Sequence, residues 1–504
     1  MNVRMQVLRQ TGVGDGVLRY RRMVSAACAV ALFVVLAHVG VAFWAQSEFT
    51  QPEGIVAIQA RSLAEEGVLY YDLKQYPYTA CAYMPLLYGM VAGMYKLGLP
   101  LLLSSRLISI LALAGIFYLV WKILLLYTGD PLYAWTGLAL AGMTQLLLGW
   151  GTVGQVDMLA IALSFTAFYL YARFQVLGEA TLDWAALFAI AGLFTKQTSV
   201  AAPLAIFILL WRADWRKAIR FGFLVGGFGG GMVLGLNALM DGRFLLNTVK
   251  ANLNPFALYK LRLPLEYILI VISPLIPILL IGLKPSLGMN LKSPFVYLGF
   301  ASVVFMGTSA KVGADSNYLI ETSVLLIVCA CCSLKALDFF SLLAGGGKSW
   351  VTLLILPLAL YGVQNLRVAS SGLSNRIERE TKFRTQVEKS VPYLAGSGRV
   401  LSTDTNVLLR AGRRLEVEPL IYRLLLEAGR VDGTQLLRDI HQNRFETILL
   451  YDDLQNISDP DPEIPRLAAV QMDAIRQHYH LVAHLDGPNL NGLYIYQPRS
   501  SIVQ

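Results

Sequence analysis

Apolar residues in this chain are gathered into long runs separated by short charged segments. The first runs from Met23 to Ala45, and others lie at about 106–121, 133–149, 157–173, 184–211, 219–240, 264–283, 294–309, 318–338 and 350–367. Roughly 20 helical residues cross the hydrocarbon core of a bilayer, so most of these runs are long enough to span it. The run at 184–211 is interrupted by Thr195, Lys196, Gln197 and Thr198 and reads as two short helices meeting at Lys196. A further apolar stretch, Met84 to Lys96, is short and reads as re-entrant or interfacial. With 184–211 unbroken and 84–98 crossing instead, the C-terminus would lie on the same side. Either way the pattern predicts an all-α polytopic membrane bundle of about eleven transmembrane helices.

Polar segments set its orientation. A basic arm, residues 1–22, carries Arg19, Arg21 and Arg22 ahead of the first run, which places the N-terminus in the cytoplasm. That run is too long for a signal-peptide core and has no small-residue cleavage site. The loops Lys284–Ser293 and Gly345–Lys348 carry lysine and read as cytoplasmic. The segments Asp241–Leu263 and Lys311–Tyr318 then face outward, as does the first outer loop, residues 46–83. Within that loop Ile55, Ile58, Ala60 and Leu63 recur at helical spacing, which predicts a short helix lying along the membrane surface.

From about Gly372 the chain becomes rich in charge. Strand-like runs at Arg399–Ser402, Glu446–Tyr451 and Leu493–Gln497 alternate with helix-like stretches at Pro419–Ala428 and Asp432–Gln442. The expected organisation is a transmembrane catalytic module at 23–370 and a small soluble α/β domain at 371–504, outside a multi-pass cell-membrane module.

Composition agrees. Hydrophobic residues make up 56% and charged residues 15%, too few charges to cover a soluble globule of this size. The net charge of +9 sits in short clusters between apolar runs, as in Arg212, Arg216, Lys217 and Arg220, which excludes a nucleic-acid groove. Of the five cysteines, Cys28, Cys329, Cys331 and Cys332 lie inside apolar runs and behave as small hydrophobes, and Cys81 has no metal-ligand spacing with them. The glycine-dense run Gly222–Gly235 lies within a spanning helix and reads as close helix packing.

Ionisable groups in or beside apolar helices are costly and mark candidate chemistry. Glu53 opens the loop helix, where free backbone N–H groups stabilise a carboxylate; it reads either as a cap or as a general base. Asp157 opens a long apolar helix in the same way. Lys196 needs an anionic partner, which Asp157 or a lipid phosphate would supply, unless it snorkels to the interface. Arg106 heads another apolar helix and suits bidentate binding of phosphate or anchoring at the interface. Lys311 to Tyr318, followed by Glu321, concentrates hydrogen-bonding groups beyond what a turn requires.

The order of these features resembles the GT-C superfamily of polytopic glycosyltransferases, which includes protein O-mannosyltransferases and lipid A aminoarabinose transferases. The resemblance rests on Pro52-Glu53-Gly54, on Glu66-Gly67-Val68-Leu69-Tyr70-Tyr71-Asp72 and on Tyr83-Met84-Pro85-Leu86-Leu87-Tyr88. Ser105-Arg106, Asp157, Lys196-Gln197 and Asn317-Tyr318 stand where relatives carry polar residues, and together these cover residues 20–370. It implies transfer of a sugar, with inversion, from a polyprenyl-phosphate-linked donor at the outer face to a glycan, lipid or protein acceptor. Glu53 would be the catalytic base. Arg106 and Lys196 would hold the donor phosphate and Asp157 would orient the lysine or the sugar, with Gln197, Asn317 and Tyr318 also lining the substrate site. Many relatives carry an Asp pair where this chain has a lone Glu53, with Glu48 as reserve; no cofactor is expected, and the single carboxylate argues against a divalent metal. Two rival readings are a secondary transporter, against which stands the lack of an internal repeat, and a polysaccharide polymerase or ligase.

Overall fold

A computed structural model describes residues 13–282, 289–344, 353–455, 466–487 and 492–499. The lysine-bearing loops at 284–293 and 345–348, and the start of the basic arm, lie largely outside the described residues.

The chain is mainly helical. Among the described residues six helices are long and apolar enough to cross a membrane: Leu18–Trp44, Leu101–Thr128, Val156–Leu177, Trp215–Leu239, Leu258–Leu280 and Ser316–Ala336. How deeply each is buried sorts them. Ser316–Ala336 is 78% buried and runs through the middle of the bundle, whereas Leu18–Trp44 and Trp215–Leu239 are 17% and 11% buried. The outer helices present Phe33, Leu111, Phe223 and Leu234 to the surroundings. An apolar surface of that extent is stable only against lipid. Inside the bundle Ile116, Ile123, Phe165, Phe168, Tyr297 and Val328 form one continuous core.

Several apolar runs are interrupted. The run at 184–211 forms two helices, Leu182–Leu193 and Ala201–Ala213, and Lys196 stands in the break between them. The stretch from Met84 yields an eleven-residue helix, Leu86–Lys96. At about 1.5 Å per residue it reaches only half-way across a hydrocarbon core. Its start is tied to the break, because the Leu86 N–H donates to the Phe194 carbonyl at 3.1 Å. The run at 133–149 also divides, at Thr144, into Pro131–Met143 and Gln145–Trp150.

The glycine-rich run departs from expectation. A Cβ at Gly226, Gly230, Gly231 or Gly235 would meet nothing within 4 Å, whereas one at Gly222 would lie 3.0 Å from Phe207 and one at Gly229 3.8 Å from Ile190, so only part of the run packs on neighbouring helices. The backbone widens there, into π-helical turns at Phe223–Phe228.

The loop helix Gln51–Glu66, here α1, also differs. It does not lie on a surface: Glu53, Gly54, Val56 to Ala60, Arg61 and Ser62 are all buried. Val56 and Ala60 pack on Tyr70, Cys81, Tyr88 and Val91 of the membrane module. Ile58 packs on Val400, Val407, Leu408 and Leu449 of the C-terminal unit. The apolar face expected to meet lipid is covered by protein.

The change of composition at Gly372 falls inside one 36-residue helix, α2 (Ile355–Ser390), whose apolar first half continues into a charged second half. Beyond it a four-stranded sheet has the order β1-β2-β4-β3, with β1 at Arg399–Ser402, β2 at Phe445–Leu450, β3 at Tyr479–Leu485 and β4 at Leu493–Pro498. β1 and β2 are parallel and the other pairings antiparallel. Strand β3, in which His480, Leu481 and His484 are exposed, was not visible as an apolar run. The helices Pro419–Glu427 and Thr434–His441 fall where their periodicity placed them. The first outer loop docks on this unit through a bridge from Tyr78 to Val417.

Candidate active site

Four of the residues singled out in the sequence form two buried ion pairs. Glu53 is fully buried in the first turn of α1. Arg106 lies in the second turn of the helix Leu101–Thr128, here α3. The Arg106 Nε donates to Glu53 Oε1 at 2.8 Å and Nη2 to Oε2 at 3.1 Å. The Phe49 N–H donates to Oε2 at 2.6 Å and the Gly154 N–H to Oε1 at 2.8 Å. Arg106 also donates to the carbonyls of Ala42, Ala45 and Ser47. All five of its N–H bonds are thereby taken, and both carboxylate oxygens carry two donors each.

This arrangement bears on two expectations. All of the Arg106 donors are used by Glu53, by the Ser47 carbonyl and by the carbonyls of Ala42 and Ala45 at the end of the first span. Glu53 has no exposed surface, and its two carboxylate oxygens accept four hydrogen bonds. Together they clamp the end of the first span to the loop helix and to Gly154. Glu48, the reserve candidate, accepts from the Thr405 hydroxyl at 2.6 Å, and its backbone N–H donates to Asn406 Oδ1 at 2.6 Å. Burial, together with the nearby carboxylates of Asp404 and Glu53, pushes its carboxyl well above the usual range.

The second pair is more open in its bonding. Asp157, in the first turn of the helix Val156–Leu177, meets Lys196 Nζ at 2.6 Å through Oδ1. Asn317 Nδ2 donates to the same oxygen at 3.0 Å, while Oδ2 has no hydrogen-bond partner. Lys196 Nζ stands 3.9 Å from the centre of the Tyr318 ring and 6.0 Å from that of Tyr83. Gln197 points elsewhere: its Nε2 donates to the carbonyls of Ala82 at 2.8 Å and Thr248 at 3.0 Å, holding the loop.

Tyr83 and Tyr318 form part of the lining of a cavity between the membrane module and the C-terminal unit, which Lys311, Asn252, Gln59 and Glu418 also line. Lys311 Nζ donates to the Asn252 carbonyl at 2.9 Å, leaving N–H bonds for a ligand. Burial and the positive charge of Lys196 lower its pKa, so an arriving anion would relieve both. Sequence reading marked the segment 311–318 but not this lysine in particular. Glu418 escaped it altogether, since an acid ahead of Pro419 looks like an ordinary helix cap and is one, accepting from the N–H groups of Leu420 and Ile421. Among the described residues no three His, Cys, Asp or Glu side chains gather as a metal site.

The fold, a lipid-facing bundle with a polar cavity under an α/β cap, is shared with solved proteins. Among solved structures the chain is similar to ArnT from Cupriavidus metallidurans bound to undecaprenyl phosphate, with a TM-score of 0.60 and 12% identity over 95% of this chain and 98% of that one. The same protein in the apo state matches at a TM-score of 0.61, with 12% identity over 94% and 98% of the two chains. No protein-family model matches the chain, and no curated protein matches it in sequence.

Proposed function

We propose that the chain is a membrane glycosyltransferase that moves a sugar from a polyprenyl-phosphate-linked donor to an acceptor at the outer face. About eleven crossings, a cytoplasmic N-terminus and an extracytoplasmic C-terminal domain complete the reading. The observation that carries it is the cavity with Lys311 and Tyr318 in its wall and the Lys196–Asp157 pair behind the Tyr318 ring, in a fold shared with a protein whose structure holds undecaprenyl phosphate.

In the reaction an acceptor hydroxyl oxygen bonds to the anomeric carbon. The bond from that carbon to the phosphate oxygen breaks, and its electron pair leaves with the phosphate. Lys311 in the cavity wall and Lys196 behind Tyr318 would supply the positive charge that stabilises it, since preorganised cations favour charge that grows in the transition state. The proton goes to Asp157, whose Oδ2, buried in the free protein, has no hydrogen-bond partner while Lys196 and Asn317 fix the carboxylate's orientation. We assign the base to Asp157 in place of Glu53, which would first have to give up four hydrogen bonds.

The test is release of polyprenyl phosphate from a lipid-linked sugar in proteoliposomes. Release by the native chain, lost in Asp157→Asn, supports the reading. Uptake of sugar into the lumen with the lipid-linked donor intact would support a transporter instead.

A further inference from the structure

A second groove, of about 440 Å³, lies where the outer end of the first span meets α2, α3 and the C-terminal unit. Phe43, Leu101, Leu102 and Leu103 supply apolar surface to it, and Arg384, Asn406 and Arg410 supply polar surface. Arg106 also lines it but is fully committed to Glu53 and the loop carbonyls.

Three observations point to an anion there. The helix α3 begins at Pro100 with no side-chain cap, so its first N–H groups, at Leu101 to Leu103, open toward the groove. A helix N-terminus of this kind favours negative charge. Asn406 is 4% exposed; its Oδ1 accepts from the Glu48 N–H, while its Nδ2 is buried with no partner. A buried amide donor of this sort is costly until something accepts from it. Arg410, exposed at the rim, makes no ion pair among the described residues, whereas Arg384 is shared with Glu380 and the Trp44 carbonyl. Glu388 is the one acid in the lining, against Arg384 and Arg410.

The apolar side decides what kind of anion. Phe43 and Leu101–Leu103 stand at the ends of two apolar helices, at the depth where headgroups give way to chains. A free phosphate would leave that surface wet. We propose that this groove binds the phosphate headgroup of an anionic membrane lipid, with Arg410, Asn406 Nδ2 and the first N–H groups of α3 on the phosphate and the chain along Phe43 and Leu101–Leu103. The inference goes beyond sugar transfer and stands whether or not Lys311 holds a donor.

The experiment uses the full chain in nanodiscs of phosphatidylcholine doped with either phosphatidylglycerol or undecaprenyl phosphate, with retained lipid read by native mass spectrometry. The native chain should keep an anionic lipid in preference to phosphatidylcholine. Arg410→Gln and the isosteric Asn406→Asp, which keeps the bond to the Glu48 N–H, should each reduce retention by about tenfold. The doped lipid that is retained identifies the source. The proposal is overturned if neither is preferred, or if retention survives both variants and is lost only in Lys311→Gln, which would put the lipid in the other cavity. Failure of the transfer assay leaves this readout untouched.

Discussion

Glu53 and Arg106, 53 positions apart in sequence, meet in a two-pronged ion pair at 2.8 and 3.1 Å, with Phe49 and Gly154 closing the remaining sides of the carboxylate. The Arg106 guanidinium also lies 4.1 Å from the centre of the Phe49 ring. A charge pair this deep in protein is costly to form and far costlier to break, since removal of one member strands the other without water.

Glu53→Gln and Arg106→Gln should therefore each lower stability by about 3–5 kcal/mol. The double variant Glu53→Gln/Arg106→Met should recover part of that loss, because no uncompensated charge remains. Thermal unfolding of the protein in nanodiscs measures both. If Glu53→Gln abolished sugar transfer at an unchanged melting temperature, the carboxylate would be chemical after all and the clamp assignment would fail.

Gly154→Ala should damage the same clamp from its far side. A Cβ there would lie 2.0 Å from Ser105 Oγ, 2.6 Å from Ser105 Cβ and 3.2 Å from the Arg106 backbone nitrogen. Packed surroundings cannot give that much room, and overpacking of this kind costs about 1–3 kcal/mol. An alanine variant as stable as the native chain would show that α3 can shift.

Asp157→Asn keeps the shape of the side chain and its bond from Lys196, but loses the proton acceptor. The rate of transfer should fall by about 10²–10⁴-fold, the range for a lost general base, with donor binding changed far less. Steady-state kinetics with a lipid-linked donor separates the two. A variant that turns over normally removes Asp157 from the chemistry.

Lys311→Gln should raise the KM for the lipid-linked donor by about tenfold, since one charge-assisted contact to phosphate is lost. It should cost no stability. Lys311 is already disfavoured as a cation by burial and by Lys196, so its removal relieves that strain in the free protein. An unchanged KM would show that the phosphate sits elsewhere.

Burial lifts the Glu418 carboxyl to about 7, against about 4.3 for a glutamate in an unfolded chain. Between those values the folded chain keeps a proton that the unfolded chain has released, so stability falls as pH rises from about 4.3 to about 7. Glu418→Gln should flatten that slope, by at most about 4 kcal/mol across the window. Melting temperatures of the two proteins as a function of pH check it; parallel curves would show that Glu418 titrates as an ordinary acid.

Much of the architecture was legible before any coordinates. Hydropathy is a local property, and so the long apolar helices, the break at Lys196 and the strand at Arg399–Ser402 could be read from the chain directly. The close pairing of Asp157 with Lys196 was also open to inference, because an isolated lysine in an apolar run requires a nearby anion. The same reasoning misread α1, since an amphipathic pattern tells only that one face is covered and not whether lipid or protein covers it. It misread Gly226 and Gly230 for a similar reason: small side chains permit close packing but do not supply the partner.

By itself, then, the order of residues determined that this protein is a membrane bundle with a charged C-terminal end, and which ionisable groups had to find partners. Only the tertiary structure decided who those partners are. Packing set Glu53 and Arg106 side by side, and Asn317, 160 residues beyond Asp157, came within 3.0 Å of it by the same means. Burial makes each such group take whatever polar neighbour the fold delivers, and the identity of that neighbour is set by contacts across the whole chain, not by the few residues on either side.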